Sequence, residues 1–356
     1  MLRGRAPRVS SKSQASVDLD LPCVRGKISK LHSRLRPTQD ALGWDWTFYK
    51  LQNFRSRSAA QEYMDKKPVP VIQRGKKYYV VDRHHTLSAL KMSGWDPEIT
   101  LQVVQQVDKD ERSLDAFWGY LEGKGWAFMR DENYQRQNFN DMPKEIDLEH
   151  FRNDIYRSLG GFARTHNILQ RGKTLDERLF FEFRWGYFFW LHRNNGFGLW
   201  PDERLHRGWL RMMNVVRDID MTEYMLENVA NTEHVDDLLF LSKEVIEPAY
   251  RVLCFYVKHL CYAYDDLPEE EKDVPGMKDI FGVTHSKLPG KVIRPSQKLC
   301  LPGTSTTEVT GAARIKDEVL VLITVKLPTE KPYRTAWGPI TRVTHGHALR
   351  HTCDSG

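Results

Sequence analysis

A short polar turn between a predicted strand and a predicted helix holds the residue types best suited to chemistry. The turn Asp82-Arg83-His84-His85 follows an apolar stretch and precedes a helical pattern that ends at Gly94. The free N–H groups in the first turn of a helix carry partial positive charge and favour phosphate. Arg83 adds a fixed charge and the imidazoles add donors. The turn therefore predicts phosphate binding, with Asp82 as helix cap, histidine partner or magnesium ligand.

A structural interpretation explains the same four residues. In it, Asp82 only caps the helix and both histidines are exposed to solvent. Residue types alone favour neither interpretation.

Charged residues also occur within two apolar stretches further along the chain. Asp154 and Arg157 lie in N-D-I-Y-R-S-L, and Glu182 and Arg184 lie in F-F-E-F-R-W. Charged side chains are rarely buried without partners. They therefore either form ion pairs that tie helices together or reach the phosphate turn.

The elements around the turn form a mixed α/β unit. Strand-like runs at 69–73, 77–82 and 99–104 and a short helix at 86–93 predict a hairpin, a helix and a further strand. After residue 108 the pattern becomes helical. The predicted helices cover 110–121, 148–169, 175–192, 202–217, 221–229, 235–247 and, from Pro248, a second apolar helix to about 264. The Phe/Trp-rich residues 180–190 are predicted to lie in the core. The tail contains one strong strand, at 319–325.

Composition excludes several classes of protein. The 356 residues are 40% hydrophobic, enough for a sizeable core, and the net charge of +6 permits nucleic acid without requiring it. The five cysteines form no C-x-x-C pair, so a zinc ribbon is excluded. No run of eighteen apolar residues occurs, so no membrane partner is expected. We expect a cytoplasmic protein. The Arg/Ser-rich N-terminus predicts a disordered basic arm or, less typically, an organelle presequence.

The tail holds one further pattern. His345, His347 and His351 form H-x-H-x-x-x-H, which could bind a metal ion.

The polar turn also belongs to a wider pattern of six short blocks that occur in a fixed order. They are L-R-P-T-Q at 35–39, V-P-V at 69–71, D-R-H-H at 82–85, M-P-K at 142–144, Y-R-S-L at 156–159 and E-F-R-W at 182–185. Together they resemble the ParB/sulfiredoxin-like superfamily and, within it, the "putative ParB-like nuclease" family. The resemblance covers about residues 28–195.

The resemblance implies nucleotide binding at the turn. Partition proteins of this superfamily use CTP, and sulfiredoxins and free-serine kinases use ATP or ADP. By this likeness Arg83, His84, His85 and Thr86 would contact phosphates. Arg36 and Gln39 would face them from the end of the first strand.

The sequence departs from the superfamily at three positions. Gln39 stands where the serine kinases have an acidic residue that looks like the catalytic base, and glutamine cannot accept a proton at neutral pH. Thr86 replaces a common arginine, and Arg83 replaces the usual glycine and could restore the charge. The turn has no cysteine, so the sulfiredoxin reaction is not expected.

Two functions follow, with a structural module as a third interpretation. The favoured one is a nucleotide-dependent hydrolase or phosphotransferase that binds ATP or CTP, with magnesium on Asp82 or Glu62, and acts on an unknown small-molecule acceptor. Its predicted catalytic residues are Asp82, His84 and His85, and its supporting residues are Arg157, Glu182 and Arg184. The alternative is a ParB-like nuclease or nucleic-acid-binding protein, although nucleases normally cluster carboxylates around a metal.

The predicted fold class is α+β. A flexible basic arm (1–22) precedes a small ParB/sulfiredoxin-like α/β domain (23–108). An all-helical domain (109–266) and a linker with a poorly ordered tail (267–356) follow.

Overall fold

The computed structural model describes residues 22–178, 180–194, 198–218 and 235–294, together with short strands between 312 and 349. The predicted arm, apart from Pro22, and the predicted helix at 221–229 lie outside the described residues.

A mixed sheet is the centre of the α/β part. Five strands form this sheet: β1 (Cys23–Lys27), β2 (Leu35–Arg36), β4 (Val69–Arg74), β5 (Lys77–Val80) and β6 (Glu98–Val107). Two further strands, β3 (Ala41–Leu42) and β7 (Arg152–Asn153), pair separately with each other. The five-stranded order is β1-β6-β4-β5-β2. β4 and β5 form the predicted antiparallel hairpin, and β5 and β2 are parallel, as are β4 and β6.

Helices surround this sheet. They are α1 (Ile28–Leu31), α2 (Trp44–Lys50), α3 (Arg57–Asp65), α4 (His84–Met92), α5 (Leu114–Gly123), α6 (Ile155–Thr165), α7 (Leu175–Arg178), α8 (Phe181–Leu191), α9 (Glu203–Asp218), α10 (Val235–Leu241), α11 (Glu247–Asp265) and α12 (Met277–Phe281). A π-helical turn, Ser242–Ile246, joins α10 to α11. None of the described helices is long and apolar enough to cross a membrane.

Two predicted helices differ from the structure for local reasons. The predicted helix at 148–169 begins only at Ile155, because the carboxylate of Asp154 accepts a hydrogen bond from the N–H of Arg157 at 2.9 Å and caps α6. The predicted helix at 175–192 is divided into α7 and α8. Phe180 has φ = 50°, a left-handed conformation that interrupts a right-handed helix.

Short strands complete the description. β8 (Leu169–Gln170) pairs with β9 (Lys291–Val292). In the tail, β10 (Ala312–Ile315), β11 (Glu318–Ile323) and β14 (His347–Leu349) form an antiparallel sheet, and β12 (Arg334–Thr335) pairs with β13 (Gly338–Pro339). β11 is the strand predicted at 319–325.

The sheet buries both of its faces. Successive strand residues point to opposite sides, so Val71 and Val80 enter the larger core while Ile72 and Tyr79 enter a smaller one. The larger core also takes in α4, α6, α8 and α11, and α5 covers the smaller one. Residues 181–189 of the aromatic α8 are all buried, as the sequence predicts. The fold is therefore α+β, as predicted, whereas the domain boundaries at 108 and 266 stay predictions.

α6 and α8 approach each other closely at a glycine. A Cβ on Gly160 would lie 2.7 Å from the carbonyl oxygen of Glu182, a separation that real Cβ atoms do not reach. The close approach brings the polar residues of α6 next to those of α8.

We predict that Gly160→Ala lowers the free energy of unfolding by at least about 2 kcal/mol, because the helices must separate to admit the methyl group. Urea unfolding measures the change. The matched control is Gly119→Ala on α5, where a Cβ meets nothing within 4 Å. That variant should be unchanged or more stable by up to about 1 kcal/mol. Equal effects of the two substitutions would contradict the packing described.

Candidate functional site

The first turn of α4 has uncapped N–H groups. Arg83 is the N-cap residue, and its side chain makes no capping hydrogen bond. Asp82 does not cap the helix either, because its Oδ1 accepts a hydrogen bond from the N–H of Arg83 at 2.7 Å. The first helical bond runs from the N–H of Leu87 to the carbonyl of Arg83. The N–H groups of residues 84–86 have no acceptor among the described residues, and all three residues are buried.

Arg83 has an unfavourable backbone conformation. Its φ of 82° lies in the left-handed region, which glycine enters freely and other residues enter at a cost of about 1–2 kcal/mol. The left-handed conformation explains why glycine suits this position of the motif. Its Nε is buried and has no hydrogen-bond partner among the described residues.

His84 and His85 lie inside the protein and accept backbone hydrogen bonds. The Nε2 of His84 accepts from the N–H of Thr38 at 3.1 Å, and that of His85 accepts from the N–H of Gly43 at 3.2 Å. Burial lowers the pKa of His84 to about 3 and that of His85 well below its usual value. Both rings are therefore neutral, and they fix the segment 38–43 against α4.

This geometry corrects the expectation that the histidines are exposed to solvent. The structural interpretation predicts exposed rings, but the residues are only 1% and 6% exposed. The Nε2 of each ring accepts a backbone proton, so only Nδ1 could donate a hydrogen bond to a phosphate, and the Nδ1 of His84 has no partner among the described residues. Thr86 is buried as well. The predicted phosphate contacts of His84, His85 and Thr86 stay predictions.

A buried carboxylate lies beside this turn and is surrounded by guanidinium groups. Glu182 Oε2 is 3.1 Å from Arg157 Nη1, and its Oε1 is 3.2 Å from Arg164 Nε and in contact with Arg171. Burial alone would raise the pKa of Glu182, but Arg171, Arg157 and Arg164 hold it well below its usual value. Glu182 is therefore ionised, and we call these four residues the basic cluster.

The basic cluster is electrostatically coupled to the turn. The charge of Asp82 helps to raise the pKa of Arg171. The charge of Arg157 adds to the effect of burial in lowering the pKa of both histidines. Arg157 and Glu182 form the predicted ion pair between α6 and α8, whereas a phosphate-binding role for them stays a prediction. Arg184, also a predicted supporting residue, is buried in α8.

Lys50 extends the basic cluster. Its Nζ lies 4.9 Å from the ring centroid of Trp46, and its charge interacts with Arg164, Arg171, Glu182 and Asp82. Burial, reinforced by Arg164 and Arg171, lowers the pKa of Lys50 to about 8. Cationic side chains thus outnumber carboxylates around the first turn of α4.

Arg36 and Gln39 do not reach this arrangement through any described contact. The guanidinium of Arg36 donates to the carbonyls of Ser33 and Leu35, at 3.0 and 2.6 Å. Gln39 is buried, and its Oε1 accepts no hydrogen bond from a described residue. The predicted phosphate contacts of both residues stay predictions.

Asp40 is the carboxylate next to Gln39, and the sequence analysis missed it. Burial raises its pKa to about 6, Arg152 at 3.2 Å opposes the rise, and Asp131, Glu132 and Asp141 add to it. Its side chain lies among those groups and not in the basic cluster. Asp40 therefore does not replace the absent base beside the turn.

Sequence reasoning also missed Lys50, Arg164 and Arg171. Only Arg164 had a usable signal, since it follows Arg157 by two helical turns and so lies on the same face of α6. Lys50 and Arg171 come from segments whose proximity depends on the tertiary fold.

Comparison with known proteins agrees with the motif order. Residues 30–190 match the model of the family described as "Putative ParB-like nuclease". This segment is similar to that family. It contains the α4 turn, the basic cluster and all six blocks. Among solved structures, the crystal structure of protein Atu1540 from Agrobacterium tumefaciens is similar at 22% identity and a TM-score of 0.38, covering 60% of this chain and 90% of that one. No curated protein matches the chain.

The neutral His84 makes the stability of the ParB-like segment depend on pH. Its folded pKa is about 3, and an unfolded histidine titrates near about 6.5. As the pH falls below about 6.5 the unfolded chain takes up a proton that the folded chain does not, so stability declines. Glutamine at 84 keeps an acceptor for Thr38 and cannot titrate.

We predict that between pH 7.5 and pH 5 the wild-type protein loses about 2 kcal/mol more unfolding free energy than His84→Gln. Urea unfolding of both proteins at the two pH values measures the difference. Equal losses would show that His84 is not held neutral by burial.

Proposed function

We propose that this chain binds a nucleotide, ATP or CTP, through its phosphates at the first turn of α4. The observation that supports this most is the convergence of cations there. Arg157, Arg164 and Arg171 pair with Glu182, Lys50 and Arg171 interact with the charge of Asp82, and Arg83 follows Asp82 in the chain. A polyphosphate would offset the excess positive charge, and the N–H groups of residues 84–86 would bind its oxygens.

Each cation contributes differently to this proposal. Arg157 is buried, and its Nε has no hydrogen-bond partner among the described residues, so an anion could bind it without new desolvation. The side chain of Arg171 is 38% exposed and would meet an incoming ligand first. Arg83 keeps a costly backbone conformation, and binding a phosphate would be a reason to retain it.

The proposed chemistry is hydrolysis, or phosphoryl transfer to a small-molecule acceptor. Such transfer depends mainly on positioning and on charge neutralisation, often by magnesium. Asp82 is exposed beside the turn and is the proposed magnesium ligand. Glu62 does not suit this role, since it pairs with Lys66 within α3 at 2.6 Å.

A second candidate is nucleic-acid binding or cleavage, which the description of the family suggests. One surface favours it. Arg34 Nε donates to the carbonyl of Lys76 in the β4–β5 turn at 3.0 Å, and burial, followed by the charges of Arg36 and Arg34, lowers the pKa of Lys77. Adjacent cations with little intervening acid suit a phosphate backbone.

We predict that Arg83→Gly stabilises the protein by about 1 kcal/mol and weakens nucleotide binding by about tenfold or more. Glycine relieves the left-handed strain, while one charged contact to phosphate is lost. Thermal unfolding with ATP, ADP, CTP and GTP, with and without magnesium, measures both effects.

The matched control is Asn167→Gly. Asn167 is also left-handed, at φ = 56°, so glycine should stabilise it without changing nucleotide affinity. If no nucleotide raises the unfolding temperature of the wild-type protein, the proposal is wrong. DNA binding that weakens with salt, or metal-dependent cleavage, would then favour the second candidate.

A further inference from the structure

A second group of polar side chains lies along α4, away from its first turn. His32, in a 3₁₀ turn before β2, and Glu145 and Asp147, in the loop before β7, have ligand atoms within 4.8 Å of one another. Asp147, Glu149 and His150 form an overlapping group by the same measure. Two imidazoles and three carboxylates therefore converge around Asp147.

The spacing of two of these atoms suits a shared metal ion. His32 Nε2 and Asp147 Oδ1 are 3.2 Å apart. Zinc binds imidazole nitrogen and carboxylate oxygen at about 2.0–2.2 Å, so two ligands of one tetrahedral zinc ion lie about 3.4 Å apart. Both side chains are only 14% exposed, so their positions are restricted by packing.

The loop that supplies Asp147 is held in place by α4. The hydroxyl of Ser88 donates to the carbonyl of Ile146 at 3.3 Å. His32 Nε2 and Asp147 Oδ1 form a hydrogen bond with each other at 3.2 Å, which holds the two proposed ligand atoms together.

We propose that His32, Glu145 and Asp147 bind a divalent transition-metal ion of the zinc class, with Glu149 or His150 within reach as a further ligand. The imidazole favours zinc-class ions over magnesium, which prefers oxygen ligands. The ion links the turn at 32–34 to the loop at 145–150 across α4. This site is independent of the proposed nucleotide site.

One neighbouring cation gives the proposal a distinctive consequence. Lys91 Nζ lies 3.8 Å from Asp147 Oδ1, close enough to repel a bound metal ion. Removing this charge should strengthen metal binding. If His32 and Asp147 do not bind a metal ion, removing the charge of Lys91 should not strengthen metal binding.

The test is calorimetric titration of the full-length, chelator-treated chain with zinc chloride, and separately with magnesium chloride. Because His345, His347 and His351 could bind zinc themselves, a variant with all three changed to alanine serves as the matched control. We expect one saturable zinc site that this control retains. Zinc affinity should fall by more than about tenfold in His32→Ala and in Asp147→Asn, and rise in Lys91→Met.

Three results would overturn the proposal: no saturable zinc binding, zinc binding that only the tail variant abolishes, or unchanged affinity in Asp147→Asn. If His32→Ala fails to fold by circular dichroism, Lys91→Met decides. An affinity no higher than that of the wild-type protein then rejects the site.

Discussion

The structure around α4 depends on the ion pairs of Glu182, whose ionised carboxylate is buried between α6 and α8. Removing a carboxylate from water costs several kcal/mol unless cations and hydrogen bonds replace the water. Arg157 and Arg164 come from α6 and Arg171 follows β8, so one side chain fixes the relative positions of three segments. The glycine contact at Gly160 is compatible with this arrangement because it lets the two helices approach.

The same constraint leaves an excess of positive charge in the basic cluster. Three guanidinium groups for one carboxylate leave positive charge unbalanced, and Lys50 adds to it. Asp82 is the nearest opposing charge at the turn. Because His84 and His85 are neutral, they add no charge of their own. The proposed ligand is therefore bound by arginines and backbone amides, and the imidazoles hold the scaffold that presents them.

The local elements of the ParB-like segment could be predicted from the sequence. The alternation in β4 and β5 and the turn at Gly75 indicate a hairpin, and the apolar spacing after Asp82 indicates α4. The family blocks predict that Arg157 and Glu182 support the turn. These predictions are possible because backbone preferences and motif order depend on the local sequence alone.

The other features could not be predicted from the sequence because they depend on which side chains the tertiary fold buries. Residue type shows that an imidazole can donate a hydrogen bond, but only packing decides that the Nε2 of His84 accepts one from Thr38. The periodicity at 148–169 predicts one helix, yet the Asp154 cap moves its start to Ile155. Arg171 lies in no predicted element, so nothing local indicates that it meets Glu182.

The most direct test of the basic cluster as a phosphate site is the affinity of CTP and ATP for Arg171→Ala, measured by calorimetry at low and physiological salt. Arg171 also pairs with Glu182, so circular dichroism first establishes that the variant folds. Arg25→Ala is the control, since Arg25 pairs with Asp65 and Glu98 elsewhere on the surface. We predict affinity at least about tenfold weaker and less dependent on salt in Arg171→Ala only. Wild-type affinity in both variants would contradict the account.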